Sequence, residues 1–220
     1  ASMVAGGLRY KTQEFNPIAA GMNSTLLLLS TAGLVVPALF YYLLTAHDMP
    51  ADQIATLDLD VSLDVAIVLF VTYILSLVFS LQTHKHLYDT TDYETPGGAE
   101  FEDVWSVKKS SIILGISTVF VAWMSEILVH SIEAATASLG LTEVFVGVIV
   151  VAIVGNAAEH SAAIMMAMKN KMDIAVTIAI GSSSQVALLL APVLVFLSYF
   201  VGPAPMDLVF SPMEVLAIIL

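Results

Sequence analysis

Polar residues fall along this chain in clusters between long apolar runs. Read in windows of about 19 residues, five full apolar spans stand out, at roughly 18–44, 63–82, 108–133, 143–168 and 173–200. Residues 1–8 read as the tail of an earlier span and 212–220 as the start of a later one. An apolar helix needs about 20 residues to cross the hydrocarbon core, and backbone groups in lipid must be satisfied within the helix itself. The pattern therefore predicts an all-α, polytopic helical membrane protein. Pro37 and Pro192 lie inside the first and fifth spans, where a helical bundle tolerates a kink.

The basic residues set the topology. Arg9, Lys11, Lys85, Lys108, Lys109, Lys169 and Lys171 are all the Lys and Arg of the chain, and all fall on one side if the spans alternate. The positive-inside rule then makes 9–17, 83–107 and 169–172 cytoplasmic. The opposite loops, 45–62, 134–142 and 201–211, hold no Lys or Arg, and the first carries Asp48, Asp52, Asp58 and Asp60. The longest polar stretch, 83–107, contains Pro96-Gly97-Gly98 and six acidic residues, and reads as a solvated linker. It divides the chain into 1–82, the end of a first half, and 108–220, a second half. His84 and His86 beside Lys85 read as interfacial rather than metal-binding.

Composition agrees with this class. Hydrophobic residues make up 58% of the chain and charged residues 12%, with a mean hydropathy of +0.91; soluble domains carry about twice that charged fraction. The formal charge of −12 argues against a nucleic-acid partner, and the absence of cysteine removes disulfides and thiolate metal sites. The chain starts without methionine and stops inside an apolar run, so it is expected to be a piece of a longer polypeptide.

Two polar breaks carry the candidate chemistry. Gly155-Asn156-Ala157-Ala158-Glu159-His160 interrupts the fourth span and Gly181-Ser182-Ser183-Ser184-Gln185 the fifth. A carboxylate at mid-membrane depth costs roughly 2.5–3.5 kcal/mol, so it marks a cation or proton path by default. Asn156 and Glu159 share a helix face that continues to Ala163, and Ser182 and Gln185 are similarly spaced. Calcium takes about 6–8 oxygen ligands from carboxylates, amides, backbone and water. Asn156, Glu159, Ser182 and Gln185 form a partial set of that kind, with carbonyls near Gly155 and Gly181 expected to be freed. One carboxylate does not balance a divalent ion, so a second is required from elsewhere. His160 points about 100° away from Glu159 and suits proton handling or gating. Glu126 in the third span is a further candidate for that role, whereas Glu133 reads as solvated. Met165, Met166 and Met168 read as adaptable packing.

The block Gly155-Asn-Ala-Ala-Glu-His-Ser-Ala-Ala-Ile164, with Asn170 and Gly181-Ser-Ser-Ser-Gln185, closely resembles the second conserved repeat of CAX-type calcium/proton exchangers. Gly6-Gly7-Leu8-Arg9-Tyr10 with Phe15-Asn16, and Trp123-Met-Ser-Glu-Ile-Leu-Val129, resemble further stretches of that family. The resemblance implies an inverted-repeat exchanger fold in which a glutamate from each half meets at a midplane site. It also implies an antiporter, not an enzyme, that moves Ca2+ or another divalent cation against H+ across the lipid bilayer, with no cofactor. By position, Glu159 looks like the glutamate that alternates between calcium and protons, Asn156 and Gln185 like supporting ligands, and His160 like the adjoining histidine. Glu126 lies on what resembles a gating helix. The family's first repeat, with its own Gly-Asn-x-x-Glu core, is absent from this sequence. Sodium/calcium exchange, a cation channel and an intramembrane enzyme stand as alternatives, and homo-oligomerisation stays open.

Overall fold

The computed structural model describes residues 1–47, 49–84, 87, 106–142 and 145–219. Most of the linker 83–107, with Lys85 and His86, lies outside the described residues, as do Asp48, residues 143–144 and the side chain of Glu133. Every regular element among the described residues is helical. In chain order these are α1 (Ser2–Arg9), α2 (Pro17–Ala46), α3 (Ala51–Val78), α4 (Val107–Leu139), α5 (Ala152–Gly155), α6 (Ala157–Met168), α7 (Met172–Gln185), α8 (Ala191–Ser198) and α9 (Pro212–Ile219). Wider π-helical turns follow α3 at Phe79–Thr83, precede α5 at Val146–Val151 and join α7 to α8 at Val186–Leu190. Four helical runs are long and apolar enough to cross a membrane, and Ile149–Gly155 with Ala157–Met168 makes a fifth, broken one. The chain is an integral, multi-pass membrane protein.

Contacts gather the described residues into two units, 1–90 with 156–220, and 91–155. In the first, α2 packs on α3 and α7, α3 on α8, and α6 on α1 and α7. Asn16 starts α2: its side chain accepts from the N–H groups of Ile18 and Ala19 at 3.0 and 3.1 Å, and Pro17 follows where no intrahelical donor is needed. Leu34 of α2, Ala66 and Leu69 of α3, Leu188 of the π turn before α8, Val195 of α8, and Leu208 form one buried cluster. At Gly33 a Cβ would stand 2.7 Å from Leu69 Cδ2, so α2 and α3 approach closely there because the glycine has no side chain.

The second unit is dominated by α4. Ser106 caps it by accepting from Lys109 N–H at 3.3 Å, and Gly140 ends it at φ 65°, a left-handed position that glycine adopts without steric cost. None of the described side chains of α4 is buried within this unit.

Two sequence expectations need correction. The stretch 45–62 is not an acidic loop, because α3 begins at Ala51. Its aspartates lower any hydropathy average, yet Asp52 sits in the first turn, where the helix dipole favours negative charge, and Asp60 and Asp64 are not buried. The stripe Ile54, Asp58, Ser62, Ala66 and Leu69, at helical spacing, is the buried face. The fifth span was expected to be irregular at Gly181, but α7 runs unbroken through it to Gln185. The irregularity comes later, at Val186–Leu190, immediately upstream of Pro192. Proline lacks the N–H that would bond the Leu188 carbonyl and its ring crowds that carbonyl, so the helix widens there.

Candidate cation site around Glu159

The helix break is built by Asn156. Its backbone lies at φ −94° and ψ 8°, outside the helical region, which separates α5 from α6. Its carbonyl still accepts the His160 N–H at 2.9 Å, so α6 starts cleanly at Ala157. Glu159 therefore falls in the first turn of a new helix rather than mid-helix. Its side chain is half-buried, and its Oε2 is a buried oxygen with no hydrogen-bond partner. A buried carboxylate oxygen without a donor is costly, and a cation, proton or water would satisfy it.

The face that carries Glu159 continues through Ala163 and Ala167, both buried against Met172, Ala175 and Val176 of α7. These small side chains let α6 and α7 pack closely. The turn between them is a Schellman motif: Asn170 takes φ 59°, its N–H reaches the Ala167 carbonyl at 3.2 Å, and Lys171 N–H reaches Met166 O at 2.9 Å. Asparagine tolerates that left-handed backbone better than most side chains. The hairpin is antiparallel, and Glu159 and Gly181 stand equally far in sequence from Asn170 at its tip.

Segment 10–16 clamps the same turn. Gln13 Nε2 donates to Ala167 O at 2.8 Å and to Asn170 Oδ1 at 3.2 Å, and Tyr10 Oη donates to Met168 O at 3.3 Å. Asn16 N–H donates to the Asp173 carboxylate, while Asn16 Nδ2 donates to Leu87 O at 2.7 Å. Sequence reading did not single out Gln13 or Asp173. Their signal was only that polar residues cluster at the two ends of the chain's basic side.

The other candidates differ in setting. Asn156 and Ser182 are half-buried, whereas His160 and Gln185 are exposed. Ser184 is the buried serine of its cluster and donates to Ile180 O at 3.1 Å. Glu126 belongs to α4, in the other unit, and is exposed within it. No group of three or more His, Asp or Glu side chains converges among the described residues. No cluster of three such groups surrounds Glu159 among the described residues.

A family model described as sodium/calcium exchanger protein matches residues 109–220, more than half of the chain. The chain belongs to the sodium/calcium exchanger protein family. Among its relatives, the Ca2+/H+ antiporter ChaA of Bacillus subtilis is 42% identical over 99% of the chain and 59% of its own length. The Ca2+/H+ antiporter of Synechocystis is 41% identical over 97% of the chain and 59% of its own length. The solved structure of native YfkE superposes with a TM-score of 0.74 at 39% identity, over 99% of this chain and 58% of that one. This chain thus spans about 59% of the length of those curated relatives.

Proposed function

We propose that this chain contributes one half-site of an antiporter that moves Ca2+ against H+, with Glu159 as the carboxylate that holds cation and proton in turn. The observation that carries the reading is the unpartnered, buried Oε2 of Glu159 at the start of α6. An ion arriving there meets the negative charge of the Glu159 carboxylate. Such a group releases a bound divalent cation when a proton replaces it, which is the exchange step an antiporter needs. Asn156 and Ser182 supply neutral oxygens, Gln185 a further one at the exposed end of α7, and a second carboxylate comes from outside this chain. His160 and Glu126 handle protons or gate access. Two relatives named Ca2+/H+ antiporters support protons over sodium as the counter-ion.

The test uses the complete transporter in sealed vesicles. An imposed pH gradient is expected to drive Ca2+ uptake and an imposed Na+ gradient is not. Uptake driven by Na+, or by neither gradient, would overturn the reading.

A further inference from the structure

Asp58, on the buried stripe of α3, lies toward the end of the helical bundle opposite the α6–α7 turn. Asp58 is only 5% exposed, and its Oδ1 is buried with no hydrogen-bond partner. It lines a cavity of about 640 Å³ together with Tyr41, Thr45, Ile54, Pro205 and Asp207. All of these residues belong to the first unit. The cavity lies at the end opposite Arg9, Lys11, Lys169 and Lys171, since α2 and α3 run between the two.

The segment that brings Asp207 to this cavity is fastened at two points and stiffened by a turn of its own. Met206 N–H donates to Ser198 Oγ at 2.7 Å, Leu208 N–H to Ser62 Oγ at 2.9 Å, and Val209 N–H to Asp207 Oδ1 at 3.1 Å. Ser62 is one helical turn beyond Asp58 on the same buried stripe. The serine thus pins Leu208, and with it the neighbouring Asp207, beside Asp58. The two carboxylates act on each other electrostatically, yet no hydrogen bond joins them, and among the described residues no basic side chain lines the cavity. Asp207 Oδ1 is occupied by Val209, which leaves its Oδ2 for another partner.

We propose that Asp58 and Asp207 form a second hard-cation site, separate from Glu159, which takes a divalent ion of the calcium type. Two carboxylates balance the double charge, which one glutamate alone does not. Asp58 Oδ1, Asp207 Oδ2 and the Thr45 hydroxyl supply oxygens, and a cavity of this size leaves room for the several waters such an ion keeps. The orphaned oxygen of a nine-tenths buried side chain gains its missing partner in the ion. The site is carried by a helix and a segment fastened at two points, so its donors are held in place before an ion arrives.

The experiment uses Tb3+ as a calcium surrogate, with Tyr41 in the cavity wall as the excitation donor. It is carried out on the purified full chain carrying Glu159→Gln, so that the other site is silenced. Tb3+ luminescence excited through tyrosine is expected, with Ca2+ displacing it. Asp58→Asn and Asp207→Asn should each weaken binding at least about tenfold, as loss of an anionic ligand does, and Tyr41→Phe should diminish the signal, with neighbouring Tyr42 leaving a remainder. Asp207→Asn keeps the acceptor for Val209 N–H on an exposed segment, so it reads out the site even if Asp58→Asn impairs folding. Unchanged Tb3+ affinity in Asp207→Asn, or an undiminished signal in Tyr41→Phe, would overturn the proposal. Failure here leaves the Glu159 reading intact, because the Glu159 site is absent from every sample.

Discussion

Two polar segments that each open with glycine, Gly155–His160 and Gly181–Gln185, take different structures. The first leaves the helix at Asn156, and the second stays helical through all five residues. Glycine does not decide the matter, because each segment opens with one. Within the second, the buried serine finds a partner on its own helix, Ser184 with Ile180 O. A hydroxyl that returns to the preceding turn is satisfied without opening the backbone, and Ser161 does the same with Ala157 O at 2.7 Å. Glu159, also half-buried, is left with an unpartnered oxygen. The buried hydroxyl of the second segment is satisfied locally, whereas a buried carboxylate oxygen of the first is not.

The sharpest way to break this contrast is to remove the charge at Glu159. Glu159→Gln in the complete transporter should abolish Ca2+/H+ exchange, because glutamine keeps the shape but neither neutralises a divalent ion nor releases a proton. Vesicle flux under a pH gradient measures it, with membrane expression as the control for folding. Near-normal flux would sink the assignment.

Asn156→Ala asks whether the break itself matters. Alanine has no amide oxygen and a higher helix propensity, so it removes the proposed ligand and favours continuation of α5 into α6. The loss of one neutral hydrogen-bonding group is worth about 1–1.5 kcal/mol, so the apparent Ca2+ affinity should fall about tenfold with the maximal rate less affected. An unchanged concentration dependence would assign the break a purely backbone role.

What the sequence made legible follows the same physics. The long apolar runs revealed the spans because apolar surface tolerates lipid on any face, and Gly155-Asn156 marked the break. The start of α3 was not legible to a hydropathy average, which counts Asp58 as a loop residue. Helical periodicity through Ile54, Asp58, Ser62, Ala66 and Leu69 was the signal that would have found it. The clamp formed by Gln13 and Asn16 on the α6–α7 turn is a contact between residues more than 150 positions apart, and no local pattern encodes it. The buried member of the serine cluster was also hidden, since which face of α7 meets α6 depends on packing.

Gln185→Ala should have a smaller effect than Asn156→Ala. Gln185 is exposed at the end of α7, so a water can take its place as a neutral ligand at little cost. A rise of about threefold or less in the Ca2+ concentration for half-maximal flux is expected. A loss of exchange as large as that of Glu159→Gln would show that the second segment holds the ion directly, and the contrast between the two segments would collapse.

The smallest effect belongs to Gly181→Ala, which tests whether the second segment needs its glycine at all. A Cβ at Gly181 meets no atom within 4 Å, and the backbone there is already helical. Alanine restricts the unfolded chain and suits a helix interior, so it should stabilise the chain by about 0.5–1 kcal/mol. The matching control is Gly33→Ala, where the added Cβ stands 2.7 Å from a Leu69 side chain that is only 2% exposed. Crowding a packed contact of that kind costs about 1–3 kcal/mol. Thermal melts of the purified chain in detergent should move in opposite directions for the two substitutions. If Gly181→Ala also lowers the melting temperature, the glycine is required for a local opening of α7 or for the approach of another helix. The two segments would then be alike after all.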